Sequence, residues 1–164
     1  LINNTKANTI IQKISYERST RTYDVDIFTQ NTIRGKLGIN AIESSRSLYD
    51  IVVVDSLGVE KNFAEALEKE QIVEVYTKLP RGFYINTPMG HYNPDWAIVF
   101  KEGSVKHMYF IAETKGTNDI ESELRGIEAN KIECARRHFA AISNHKITYD
   151  VIKDYQSLYN LVTK

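Results

Sequence analysis

Only one cysteine, Cys134, and three prolines occur in this sequence. A single thiol excludes an internal disulfide and any zinc site built on several thiolates, and it suits a reducing compartment. The prolines, Pro80, Pro88 and Pro94, fall in one short stretch, so backbone punctuation is local. No apolar run approaches the roughly 18 residues that cross a bilayer, which excludes a membrane-spanning helix. Neither sign of charge is in excess: 21 basic and 21 acidic side chains give a net charge of zero. The total therefore gives no sign of a nucleic-acid partner, although an acidic cluster can cancel a basic groove in the sum. There is no repeat, no low-complexity tract and no phosphate-cradling Gly-x-x-x-x-Gly-Lys-Ser/Thr; Gly35-Lys36-Leu37 lacks both the spacing and the hydroxyl. The first apolar run is only Ile10-Ile11, too short for a signal peptide. With Leu1 in place of methionine, this leads to the expectation of a piece excised from a longer protein.

What is present reads as one globular domain with an appendage. The chain has 164 residues, 42% hydrophobic and 26% charged, enough to bury a core without staples. Residues 1–48 are polar and predict a strand-rich appendage, with Tyr23-Asp24-Val25-Asp26-Ile27 alternating at period 2. Residues 49–164 predict the main domain. Tyr49 to Val54 is a short β-branched run expected to form a buried strand. Asp55-Ser56 is placed to cap a helix over 57–70, where Val59, Phe63, Ala64 and Leu67 recur at helical spacing. Strands are predicted at 72–78 and 83–86, and Thr87 to Pro94 is expected to be a rigid loop. A hairpin follows, with strands at 95–100 and 107–115 and Gly103 in its turn. A long helix over 119–142 capped by Asn118-Asp119, a strand at 146–152 and a helix at 154–162 complete a mixed α/β order.

The hairpin carries the candidate chemistry. Counting outward from its turn brings Asp95 opposite Glu113, and opposed residues in an antiparallel pair have Cβ atoms about 4.5–5.5 Å apart. Lys115, two residues beyond Glu113, shares its face. Two carboxylates so close repel unless a cation joins them. Mg²⁺ keeps several waters and takes one or two protein carboxylates, which matches this donor set. The competing reading is a turn initiator, Asn-Pro-Asp, followed by an ordinary strand end.

On the long helix, Ile120, Leu124, Ile127, Cys134, Ala135, Phe139 and Ile142 form one apolar stripe. Lys131 and His138 lie within it and Glu128 beside it. Charged groups on such a stripe need a polar destination, either the carboxylate cluster or, for Glu128 and Lys131, each other at i, i+3. Arg125, Arg136 and Arg137 lie at its edge, where they meet either phosphates or solvent. Glu60, in the first turn of the helix at 57–70, is either a third acid or a charge favoured by the helix dipole. Cys134 reads as a small buried hydrophobe.

Lys78-Leu79-Pro80, Phe83 to Asn86, Thr87-Pro88-Met89-Gly90-His91-Tyr92-Asn93-Pro94-Asp95-Trp96-Ala97-Ile98, Glu113-Thr114-Lys115-Gly116, Lys131-Ile132 and His138-Phe139 together resemble the C-terminal nuclease domain of type III restriction enzymes, over roughly residues 55–142. The resemblance implies a restriction-endonuclease-like, PD-(D/E)XK fold: a mixed central β-sheet flanked by helices. It implies a Mg²⁺-dependent endodeoxyribonuclease, in which Mn²⁺ can substitute. Asp95 and Glu113 would hold the metal, with Glu60 a looser match as a third ligand, and Lys115 would serve the attacking water. Glu128, Lys131 and His138 are expected behind them, and Arg81, Arg125, Arg136 and Arg137 are expected toward DNA. The resemblance further implies a bacterial cytoplasmic setting, a methyltransferase (modification) subunit as partner, and ATP use only by a motor outside these residues. The alternatives are a non-catalytic module docking DNA or a subunit, and a junction or repair nuclease of the same fold.

Overall fold

The structure is a computed structural model, and it describes residues 10–17, 20, 25–28, 34–105, 109–114, 126–143 and 147–164. Its centre is a four-stranded sheet in the order β3-β6-β7-β8, formed by Val73–Lys78 (β3), Trp96–Phe100 (β6), Tyr109–Thr114 (β7) and Ile147–Ile152 (β8). β6 runs antiparallel to both β3 and β7, whereas β7 and β8 are parallel. Parallel neighbours need a long crossover, and the helix Gly126–Ile142 (α2) lies within it.

Alternation along the strands divides the core into two layers. Trp96, Ile98 and Phe100 on β6 point to one face, with Val73, Tyr76, Ala112 and Ile152. The helix Val59–Lys69 (α1) covers this face with Phe63, Ala64 and Leu67, and the helix Tyr155–Val162 (α3) adds Leu158 and Val162. Against the other face, α2 packs Ile132, Ala135 and Phe139 onto Tyr149 and Val151. Trp96 is fully buried, and truncating such a side chain to alanine typically costs about 3–5 kcal/mol.

Two small hairpins flank this sandwich. Ala41–Glu43 (β1) pairs with Ile51–Val53 (β2), so the run expected at 49–54 is a shorter strand outside the main sheet. Gly35 passes so close that an added Cβ would lie 2.7 Å from Ala41 Cβ and 2.8 Å from Val53 Cγ2. Ile85–Thr87 (β4) pairs with Gly90–Tyr92 (β5), which corrects the loop expected over 87–94. Gly90 has φ +99°, a conformation glycine adopts freely, and Thr87 Oγ1 closes the turn onto Gly90 O at 2.6 Å.

Three further expectations change. Val25–Phe28 is a 3-10 turn and not a strand, while Tyr23 and Asp24 lie outside the described residues. The cap of α1 is Gly58, although Ser56 Oγ still accepts from Val59 N at 3.2 Å. Along α2, Ile127 is exposed and Ile132 is buried in its place. Ile120, Leu124 and the expected cap Asn118-Asp119 lie outside the described residues.

Candidate active site

Asp95 stands at the entry to the central strand and is tied on both sides. Its N–H donates to Ala112 O at 3.1 Å, and its carbonyl accepts from Leu79 N at 2.7 Å. The preceding residues build the approach. Asn93 Nδ2 donates to Arg81 O at 2.9 Å and Phe83 O at 2.5 Å, strapping the 81–83 loop to the strand start. Pro94 fixes the backbone between strap and carboxylate. The Asp95 carboxylate Oδ2 then accepts from Thr114 N at 2.8 Å and Thr114 Oγ1 at 2.9 Å. Burial drives the Asp95 carboxyl upward, the Thr114 hydrogen bonds oppose this, and Glu60 and Lys78 act in opposite directions; the net shift is above the ordinary aspartate value.

The β6–β7 register pairs Trp96 with Ala112 and Ala97 with Ile111, which is the register the residue count from the turn predicts, and Asp95 and Glu113 lie one step beyond its last pair. The ladder ends there. The Asp95 carboxylate turns to Thr114, while the buried Glu113 accepts at Oε2 from Tyr92 Oη at 2.8 Å. Tyr92 Oη lies 2.5 Å from Tyr149 Oη on β8.

Glu60 is held on the α1 side of the same end of the sheet. Its Oε2 accepts from Asp55 N at 2.7 Å and from Lys78 Nζ at 2.8 Å. Lys78 also pairs with Asp55 at 2.6 Å. That ammonium holds the Asp55 carboxyl below its usual range. Burial works against the charged form of Lys78, but its two carboxylate partners prevail and raise its pKa. Lys78 is thus the internal counter-ion of two acids. Among the described residues, no group of three or more His, Cys, Asp or Glu side chains is gathered closely enough to hold a metal. Glu60, Asp95 and Glu113 are therefore not one three-carboxylate cluster.

The expected supporting residues lie elsewhere. Lys131 Nζ donates to His91 O at 2.9 Å, which is neither the carboxylate cluster nor Glu128. His91 itself stacks on Tyr84 with ring centroids 3.9 Å apart. His138 sits edge-on to Tyr16 at 5.1 Å and to Phe139 at 5.3 Å, and its buried Nδ1 has no hydrogen-bond partner among the described residues. Burial lowers its pKa, so it is a neutral ring in an aromatic setting. Glu128 is partly buried on the first turn of α2 described. Arg136 pairs with Asp150 at 2.8 Å, and Arg137 pairs with Glu133 at 3.1 Å. Arg81 is exposed beside the strapped loop. Lys115 and Arg125 lie outside the described residues. Cys134 is buried and its thiol pKa is raised by burial, as expected of an inert core thiol.

Sequence reasoning passed over Tyr92 and Tyr149. The available signal was the position of Tyr92 inside the Thr87–Asp95 string, where an aromatic hydroxyl next to a site element needs a partner once buried.

A four-stranded mixed sheet with helices on both faces, and an aspartate at the start of a central strand opposite a Glu-bearing strand, define a restriction-endonuclease-like fold. The family model described as endonuclease domain matches residues 45–155, and the chain belongs to that family. No curated protein matches the sequence. No helix among the described residues is long and apolar enough to cross a membrane.

Proposed function

We propose that this chain is a Mg²⁺-dependent endodeoxyribonuclease domain, the nuclease part of a type III restriction enzyme restriction subunit, with Asp95, Glu113 and Lys115 as its catalytic residues. The observation that carries the reading is Asp95: a residue whose backbone is bonded to β7 and to Leu79 just past β3, one step beyond the last registered pair of β6 and β7, where the same register continued would set Glu113 opposite. The donor set fits a hard divalent cation. Two carboxylates suffice for Mg²⁺, which completes its shell with water, and a carboxyl whose charged form is disfavoured by burial gains from a cation. Such a cation supplies Lewis-acid polarisation of a phosphoryl oxygen and acidification of water.

The protein's own part is positioning. Asp95 and Glu113 fix the point at which the scissile phosphate must sit, and Thr114 holds the Asp95 carboxylate in place. Lys115 orients the attacking water and offsets charge developing in the transition state. The water oxygen forms a new bond to phosphorus and gives up a proton to solvent, while the bond to the leaving deoxyribose oxygen breaks and that oxygen takes up a proton from solvent. Glu60 and Lys78 set the field at Asp95 from the α1 side. DNA recognition and ATP-driven motion are assigned to a motor and a methyltransferase subunit outside these residues.

A second reading, a docking module without chemistry, draws on the way Glu60, Lys78 and Asp55 neutralise one another. Plasmid cleavage in Mg²⁺ separates the two. Asp95→Ala, Glu113→Gln and Lys115→Ala should each abolish nicking while keeping a cooperative thermal transition. Near-normal cutting by the Asp95 or Glu113 variant would overturn the assignment.

A further inference from the structure

We infer that Tyr92 and Tyr149 form a buried hydroxyl relay that positions the Glu113 carboxylate for cation binding, which makes them positioning residues of the proposed nuclease site. The inference rests on the reading of Glu113 given above. Three elements converge on this relay: β5 supplies Tyr92, β7 supplies Glu113 and β8 supplies Tyr149. All three side chains are buried, and two hydrogen bonds of 2.8 and 2.5 Å join them.

Their direction follows from chemistry. An ionised carboxylate only accepts, so Tyr92 donates to Glu113 Oε2. The Tyr92 oxygen then accepts from Tyr149. Each hydroxyl polarises the next, so the chain Tyr149→Tyr92→Glu113 is stronger than either bond alone. The rings are fixed independently of the relay. Tyr149 stacks on Phe139 of α2, and Tyr92 is seated edge-on to Tyr149 in the β4–β5 hairpin, whose Gly90 turn and Asn93 strap set its reach. A carboxylate on a strand end can rotate about its side-chain bonds; a donor locked on a separate element selects one rotation. The parallel register sets Glu113 beside Val151 and Ile111 beside Tyr149, so Tyr149 and Glu113 stand on the same sheet face one step apart. This hydroxyl pair fills the supporting place that the sequence had suggested for Lys131 and His138.

The test compares Tyr92→Phe, Tyr149→Phe and the double variant, each lacking only hydroxyl oxygens. Calorimetric titration of the chain with Mn²⁺ reads cation affinity, and Mg²⁺-dependent plasmid nicking reads the half-saturating concentration. Loss of a group that orients a metal ligand typically costs ten- to a hundredfold in affinity or activity. Tyr92→Phe should weaken Mn²⁺ binding by about tenfold or more on that basis. Tyr149→Phe should have a smaller effect, and the double variant should bind like Tyr92→Phe, because Tyr149 acts only through Tyr92. A purely structural role would lower the thermal midpoint and leave cation affinity unchanged, and that result overturns the relay. Glu113→Gln is the control: if it retains Mn²⁺ affinity and cutting, the reading of Glu113 fails and the relay with it. If Glu113→Gln is inactive while Tyr92→Phe matches the parent in cation dependence, the relay alone fails.

Discussion

At Asp95, burial favours the protonated carboxyl, the two hydrogen bonds from Thr114 favour the anion, and Glu60 and Lys78 act against each other. The net pKa is raised, so between the ordinary aspartate value near 3.8 and the raised one the folded chain holds a proton that the unfolded chain has released. Asp95 therefore adds stability that is fully present below about 3.8 and lost as pH climbs through the raised value. Asp95→Asn keeps an acceptor for Thr114 without the charge. The melting temperature of Asp95→Asn relative to the parent should thus rise with pH across that window and level off above it. Thermal melts at a series of pH values check this; a pH-independent gap would show that the charge of Asp95 carries no folding cost. The place of Asp95 one step beyond the Trp96–Ala112 pair was legible because a hairpin register follows from counting out from its turn. The ion pair of Glu60 was not legible: Lys78 is 18 positions away on a different element, and no local rule links them. The hydroxyl of Tyr92 was hidden for the same reason, since its partners are 21 and 57 positions distant.

Elements are held to one another here by side chains that short-range pattern cannot anticipate. Glu68 on α1 accepts from Ser44 Oγ at 2.7 Å, Ser45 N at 2.8 Å, Ser45 Oγ at 2.7 Å and Tyr76 Oη at 3.1 Å. This one carboxylate joins α1 to the turn after β1 and to β3. Burial pushes Glu68 upward, but the four donors outweigh it and hold the carboxyl below its usual value. A lowered folded pKa contributes stability above the unfolded value near 4.5, lost as pH falls through the folded one. Glu68→Ala should destabilise the chain by about 1–2 kcal/mol at pH 7, the scale of losing hydrogen bonds to a charged acceptor. The penalty should shrink below pH 4.5, and denaturant melts at pH 7 and pH 3.5 check it. The long periodic elements were legible: α1, β6 and β8 lie within a few residues of their expected bounds. The β4–β5 hairpin was not, because its turn uses Pro88-Met89 and a glycine at the strand start in place of an Asn-Gly signal. The string from Thr87 to Asp95 now has a physical account, with a turn at Gly90, a hydroxyl at Tyr92 bonded to Glu113, a strap at Asn93 and a carboxylate at Asp95 bonded to Thr114.

Over the whole molecule the zero net charge conceals a pattern of internal pairing. Lys78 is neutralised by Asp55 and Glu60, Arg136 by Asp150, and Arg137 by Glu133. Cations already paired contribute little to binding a duplex, because engaging a phosphate means breaking an existing ion pair. Affinity for DNA rises with the number of phosphates neutralised, and the logarithm of the binding constant falls with the logarithm of salt by about 0.9 per contact. The arginine guanidiniums at 136 and 137 should therefore contribute less than their position at the helix edge suggests. Arg81 differs: it is exposed, forms no ion pair among the described residues, and sits on the loop strapped by Asn93 to the start of β6. On the proposed reading of Asp95, that placement makes Arg81 the cation expected to meet an incoming duplex. Arg81→Ala should reduce the salt slope by about one contact. Arg136→Ala should leave the slope unchanged. Fluorescence anisotropy with a labelled duplex between about 50 and 200 mM salt measures both, over the range in which such contacts weaken binding most visibly. Equal loss of slope in the two variants would mean that Asp150 gives up Arg136 when DNA arrives, and that the interface extends along the exposed edge of α2 instead of being confined to the mouth of the site.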